Sequence, residues 1–229
     1  MSTTTISGIE ACVFDAYGTL FDVHSAARRL SERLGENEAP LSALWRSKQL
    51  EYSWLRSLMG HHADFWTVTG DALDYALAAH GLEGEFVLRD GLMDAYLRLD
   101  AYPEVAEALA ALKQGGKTTA ILSNGSPDML VAALESSGLS ALIDKTLSVE
   151  MVGIYKPDPR VYRLAVEKLG VATERISFQS SNPWDTVGAK LFGFNVVWIN
   201  RFRLARERLP AGPDAELASL EELPGLLGL

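Results

Sequence analysis

Short apolar runs alternate along much of the chain with segments of helical apolar spacing, and glycine or polar turns separate them. Ala11 to Phe14 is an apolar run stopped by Asp15 and the turn-forming Gly18, the pattern of a buried strand. Val105 to Gln114 predicts a helix that stops at Gly115-Gly116. Thr118 to Leu122 is a second β-rich run, ending at Ser123-Asn124-Gly125. Ser126-Pro127 suits the cap and first turn of a following helix, which closes at Gly138. Further on, Pro159 to Leu169 predicts a helix ended by Gly170, and Ile176 to Gln179 a strand that runs into Ser180-Ser181-Asn182. Asp185 to Phe192 predicts a helix ended by Gly193, and Val196 to Ile199 a strand. A short last helix is expected from Leu217 to Leu223, before Pro224. Strands alternating with helices predict an α/β fold, a parallel sheet with helices on both faces.

One long stretch breaks this rhythm. From Val23 to Leu99 no segment reads as a strand, while Leu41 to Met59, Phe65 to His80 and Phe86 to Leu99 carry helical spacing. The expected organisation is therefore a core of residues 1–22 and 100–229, with a helical cap of residues 23–99 inserted after the first strand.

Composition narrows the function. Hydrophobic residues are 48% and charged residues 22% of the 229, ordinary globular usage that argues against a disordered chain. The net charge of -9 makes nucleic acid a poor partner, because phosphate backbones are repelled. A small anionic substrate stays possible, since a local cationic pocket can oppose the global sign. Cys12 is the single cysteine, so no internal disulfide forms, and its apolar neighbours predict a buried, inert thiol. Met1 to Gly8 lacks the cationic and apolar segments of a leader, and no run approaches the ~20 apolar residues of a membrane span. A cytoplasmic protein is expected.

Open parallel sheets bind ligands beyond the carboxyl ends of their strands. Three polar clusters fall there: Asp15-Ala16-Tyr17-Gly18-Thr19, Ser123-Asn124-Gly125, and Ser180-Ser181-Asn182-Pro183-Trp184-Asp185. Lys156, before Pro157 and another helix, belongs on the same rim. Bland roles compete at each position. Asp15 can be a strand-end turn residue, and Asp185 and Asn182 can cap the helix that follows them. Arg46 can lie on a solvated helix face. Tyr17, Leu50, Phe65, Trp184 and Tyr162 can be core packing. His24, His61, His62 and His80 match no metal-ligand or triad pattern.

Together, Asp15-x-x-Gly18-Thr19-Leu20, Ser123-Asn124-Gly125, Lys156-Pro157 and the late Asp185 resemble the haloacid dehalogenase superfamily, over Val13 to Asn200. More narrowly, Asp15 to Asp22, Leu44-Trp45-Arg46, Ser123 to Pro127, Tyr155-Lys156-Pro157 and Ser180 to Asp185 resemble its L-2-haloacid dehalogenases. The resemblance implies a Rossmann-like core and displacement of halide from a 2-haloalkanoic acid by Asp15, through an aspartyl ester. It implies that Lys156 keeps Asp15 ionised and that Thr19 orients it. Arg46, Asn124 and Trp184 would cradle the departing halide, and Ser123 would hold the substrate carboxylate. Asp185, Asn182 and Ser180 would position and activate the hydrolytic water. Tyr17, Leu50, Phe65 and Trp184 would wall the alkyl chain, with Tyr162 supporting the Lys156 region. A homodimer, no cofactor and no metal are further expectations.

The absence of metal also has a chemical argument. Phosphatases of this superfamily carry a second Asp two residues after the nucleophile, where this chain has Tyr17, and an Asp where it has Ser181. Halide is a stable anion and leaves without a proton, so no acid is needed there. Magnesium seeks an octahedral array of oxygens, commonly carboxylates, and two of the usual acidic positions are gone. Ser47 and Pro183 depart from the commoner residues of close relatives. Two rivals remain: a magnesium-dependent phosphatase of the same superfamily, and a catalytically silent binding protein on this fold.

Overall fold

The computed structural model describes residues 5–229. The reading of Met1 to Gly8 as leaderless falls partly on residues 1–4, outside the described residues. In chain order the elements are β1 (Ala11–Phe14), β2 (Phe21–Asp22), α1 (Ser25–Arg28), α2 (Ser31–Leu34), α3 (Glu38–Met59), α4 (Phe65–Ala79), α5 (Phe86–Tyr96), β3 (Asp100–Ala101) and α6 (Val105–Gln114). They continue as β4 (Thr118–Ser123), α7 (Pro127–Ser137), β5 (Lys145–Ser148), α8 (Pro159–Leu169), β6 (Ile176–Ser180), α9 (Pro183–Phe192), β7 (Asn195–Ile199), β8 (Ala215–Leu217) and α10 (Leu223–Leu226).

Six strands form one parallel sheet in the order β5-β4-β1-β6-β7-β8. Helices cover both faces of a central strand in such a sheet, so the strand must be apolar throughout. β1 fits that demand, with every residue fully buried. Phe14 pairs with Ile121 on one side and Gln179 on the other. Asp15 leaves the strand with its N–H donating to Gln179 O at 2.9 Å. The carboxyl ends of β1, β4 and β6 therefore lie together, at the point where the strand order reverses and open α/β sheets bind ligands.

α1 to α5 all fall between β2 and β3, which pair as a separate antiparallel ribbon, Phe21 with Ala101 and Asp22 with Asp100. The ends of the helical stretch thus meet beside β1. α3 and α4 pack together, and Trp45 Nε1 donates to Thr69 O at 2.9 Å. Leu41, Trp45, Gln49 and Ser53, one turn apart, are buried along α3. Among the described residues no helix is long and apolar enough to cross a membrane.

The last helix is displaced from the expected Leu217 to Leu223: a 3-10 turn at Leu220–Glu222 leads into it. Leu217 ends the edge strand β8, where it pairs with Ile199, and α10 starts only at Leu223. Pro224 opens that helix rather than ending it, because a proline in the first turn removes an N–H that has no helical partner anyway. Pro183 does the same in α9, which begins two residues before the expected Asp185.

Candidate active site

Asp15 sits at the end of β1 with its carboxylate almost fully enclosed. Oδ2 accepts hydrogen bonds from Thr19 Oγ1 at 3.0 Å and Asn182 Nδ2 at 2.8 Å, and Oδ1 from Lys156 Nζ at 3.1 Å. The turn after β1 makes the first of these possible. The N–H groups of Thr19, Leu20 and Phe21 all reach back to Ala16 O. Gly18 adopts φ +94, a left-handed conformation open to glycine, and a Cβ there would stand 3.2 Å from Ser181 Oγ. The turn folds Thr19 back onto Asp15, and Ser181 N donates to Thr19 Oγ1 at 2.8 Å.

Lys156 lies between two carboxylates. Its Nζ also donates to Asp185 Oδ2 at 2.8 Å, while its main-chain N–H donates to Asn124 Oδ1 at 3.0 Å. Burial opposes the ammonium, but Asp15 and Asp185 together outweigh it and hold the Lys156 pKa above its ordinary value. Asp185 has 0% exposure, and this burial pushes its carboxyl above the usual value against the pull of Lys156. The two carboxylates share one ammonium. Tyr162 OH donates to Asp185 Oδ1 at 2.8 Å, which gives that buried helix tyrosine a polar task.

Neither Asp185 nor Asn182 spends its side chain on capping α9. Asn182 stands at the N-cap without a side-chain cap bond, and Asp185 lies in the first turn. Ser180 Oγ accepts from Asn182 N at 3.1 Å, which shapes the bend after β6. Ser123 Oγ accepts from Gly125 N at 3.0 Å at the end of β4. Gly125 is required there, because a Cβ would stand 2.6 Å from Tyr17 Cε2.

Arg46 is half-buried and reaches from α3 to the sheet end. Its Nη2 donates to Tyr17 O at 3.2 Å and Asn182 Oδ1 at 3.3 Å, so a solvated helix face does not describe it. Its Nη1 donates to Gln49 Oε1 at 2.7 Å. The Tyr17 ring lies 5.9 Å from Phe65 and 5.5 Å from Tyr96, and Phe65 lies 5.8 Å from Tyr155. Trp184 meets Trp54 edge-on at 5.3 Å. Both tryptophans line a cavity of about 590 Å³ that also touches Lys156. Leu50 is half-buried one turn beyond Arg46, and Ser47 is exposed. His24 bonds Ser42, and His62 bonds Glu150. Cys12 is buried, and that burial pushes its thiol up to about 12.

Sequence reasoning missed Gln49, Trp54 and Tyr96. Gln49 carried one signal: a polar residue on the buried stripe of α3. Among the described residues, no group of three or more His, Cys, Asp or Glu side chains forms a metal-ligand set.

The profile of the haloacid dehalogenase-like hydrolases matches residues 9–193. The chain belongs to that family. (S)-2-haloacid dehalogenase 1 of Pseudomonas sp. (strain CBS-3) is 50% identical to this hydrolase over 219 residues, 96% of each chain. (S)-2-haloacid dehalogenase 4A of Burkholderia cepacia is 50% identical over 222 residues, 97% of this chain and 96% of that one. A solved structure of L-2-haloacid dehalogenase from Xanthobacter autotrophicus, with chloropropionic acid covalently bound, is 40% identical. It superposes with a TM-score of 0.88, covering 96% of this hydrolase and 98% of that chain.

Proposed function

We propose that this hydrolase is an (S)-2-haloacid dehalogenase, converting L-2-haloalkanoic acids to D-2-hydroxy acids and halide through an ester on Asp15. The observation that carries the proposal is the buried ion pair of Asp15 with Lys156, itself paired with Asp185. Full-length likeness to relatives of that activity supports the substrate class. An Asp15 carboxylate oxygen attacks the carbon bearing halogen from behind, and the carbon–halogen bond breaks with both electrons leaving on halide. Thr19 and Asn182 hold that carboxylate in line, and the ammonium of Lys156 pairs with it. Arg46, with Asn124 and Trp184, receives the halide, while Ser123 orients the substrate carboxylate. Water then attacks the Asp15 carbonyl carbon, aided by Asp185, Asn182 and Ser180. The acyl–oxygen bond breaks, the product keeps an Asp15 oxygen as its hydroxyl, and one proton is released. The carbon stereocentre inverts once. Tyr17, Leu50, Phe65 and Trp184 enclose the alkyl group, with Tyr162 holding Asp185.

Residues 23–99 act in this proposal as a cap that closes over the sheet end. No metal or cofactor takes part: the two carboxylates converge on the ammonium of Lys156, and Tyr17 and Ser181 stand where phosphatases have acids. The cytoplasmic location and the homodimer expected from sequence belong to the same proposal. Exposed Leu55, Leu58 and Met59 on α3 support a dimer surface.

Incubation with the separate L and D enantiomers of 2-chloropropionate, with and without chelator, tests the proposal. Chloride and D-2-hydroxypropionate should appear from the L form alone, and chelation should change nothing. Magnesium-dependent phosphate release from phosphate esters, with no chloride from either enantiomer, would establish the phosphatase instead. Absence of turnover in both assays would favour the silent binding protein.

A further inference from the structure

The guanidinium of Arg46 is held from behind by a polar cluster buried inside the helical stretch. Gln49 is 1% exposed, and its Oε1 accepts from Arg46 Nη1 at 2.7 Å. Its Nε2 donates to Thr69 Oγ1 at 2.7 Å and to Tyr96 OH at 3.0 Å. Thr69 is fixed in turn, its Oγ1 donating to Phe65 O at 2.6 Å and its carbonyl accepting from Trp45 Nε1. Tyr96 is almost fully buried, with its ring 5.5 Å from that of Tyr17. α3, α4 and α5 each contribute one of the three side chains Gln49, Thr69 and Tyr96.

A buried amide costs stability unless both ends are hydrogen-bonded. Leucine would fill the same place on the stripe that holds Leu41 and Trp45 without that demand. The amide instead uses its N–H groups on fixed partners, and its oxygen takes the Arg46 guanidinium as the shorter of two contacts, with Tyr96 OH donating to it at 3.2 Å. Arg46 extends from that anchor to Tyr17 O and Asn182 Oδ1, the same Asn182 that donates to Asp15. A long, flexible arginine otherwise loses considerable rotamer freedom when fixed.

We infer that Gln49 is a positioning residue for halide departure: with Thr69 and Tyr96 it fixes the Arg46 guanidinium against the carbon–halogen bond. The inference rests on the dehalogenase reading and deepens it. Gln49 touches no reacting atom. Its effect passes through Arg46 and belongs to the alkylation step, growing as the leaving group becomes poorer. Gln49→Leu removes the acceptor, so the guanidinium is no longer held in register. Gln49→Glu keeps an acceptor but places a carboxylate against the guanidinium and offsets the charge meant for halide.

Single-turnover alkylation of the wild-type protein, Gln49→Leu, Gln49→Glu and Arg46→Ala, alone and combined, should be measured with L-2-bromo- and L-2-chloropropionate. Both Gln49 variants should slow alkylation about tenfold, the size of one charge-assisted hydrogen bond. The loss should be larger for chloride than bromide, with ester hydrolysis unchanged. Adding Gln49→Leu to Arg46→Ala should cost little more, the signature of one residue acting through the other. Additive losses, equal losses for both halides, or unimpaired alkylation in a folded variant would overturn the inference. Wild-type protein that releases no halide would defeat the dehalogenase reading itself. A thermal melt of each variant identifies unfolded protein, and Gln49→Glu, close in shape, carries the test if Gln49→Leu does not fold.

Discussion

At Asp185, burial and function pull against stability. The carboxyl is fully enclosed, and that burial raises its pKa while Lys156 pulls the other way. A raised value makes Asp185 a stronger base toward the hydrolytic water. The same shift destabilises the fold. Below the ordinary carboxylate value of about 4, Asp185 is protonated folded or unfolded, and its full contribution is present. As pH rises from there through the raised folded value, stability is lost. Asp185→Asn keeps the shape and removes the charge. It should melt at or above the wild-type temperature at neutral pH, with the advantage fading below about pH 4. Turnover should stop, with the ester on Asp15 accumulating after one equivalent of halide. A variant that melts well below wild type at neutral pH contradicts this account of the buried trio. Arg46→Ala, which removes one preorganised cation from the halide site, should cost about 10²–10³ in alkylation rate. If it folds and releases both halides at wild-type rates, Arg46 has no part in halide departure.

Elements decide which of these residues were visible in the sequence. β1 reads clearly because a strand buried on both faces is continuously apolar, and β4 and β6 through their β-branched and aromatic residues before polar turns. The carboxyl ends of the three pointed to Asp15, Ser123 and Ser180 by position. β5 escaped notice because Lys145 and Thr146, at the sheet edge, are exposed and polar. β8 hid in a segment whose leucines also fit a helix. Tyr96 and Gln49 stayed hidden, since no local pattern says that polar groups from three helices will meet in one buried cluster behind an arginine. The contact between α8 and α9 is equally silent in sequence. Gly188 lies where a Cβ would stand 2.5 Å from Tyr162 OH and 2.6 Å from Pro157 Cβ. Gly188→Ala gains helix propensity of about 1 kcal/mol but overpacks that contact at about 1–3 kcal/mol. Ester hydrolysis should slow as Tyr162 is displaced from Asp185, with alkylation affected less. A stabilised variant of full activity contradicts the packing described here.

For the molecule as a whole, charge and surface make separate demands. The net charge is -9, yet the proposed substrate is an anion. Arg46 and Lys156 supply the local cations at the end of an otherwise acidic chain's sheet, and burial strengthens them relative to the exposed acids, which salt screens. Leu58 is 83% and Met59 61% exposed, beside Leu55 on the same helix. Light scattering after size exclusion should give twice the chain mass. Leu58→Glu combined with Met59→Lys should reduce it to one; an unchanged dimer would place the partner surface elsewhere. The chemistry turns on Asp15 being the nucleophile and forming an ester. A single turnover of L-2-chloropropionate in heavy-oxygen water, with enzyme in excess, tests it most directly. If Asp15 forms the ester, the product carries unlabelled oxygen and the label appears in the Asp15 carboxylate, found by mass analysis of the peptide that contains it. Label in the product with none in Asp15 would mean that water attacks the substrate carbon directly and that no ester forms on Asp15.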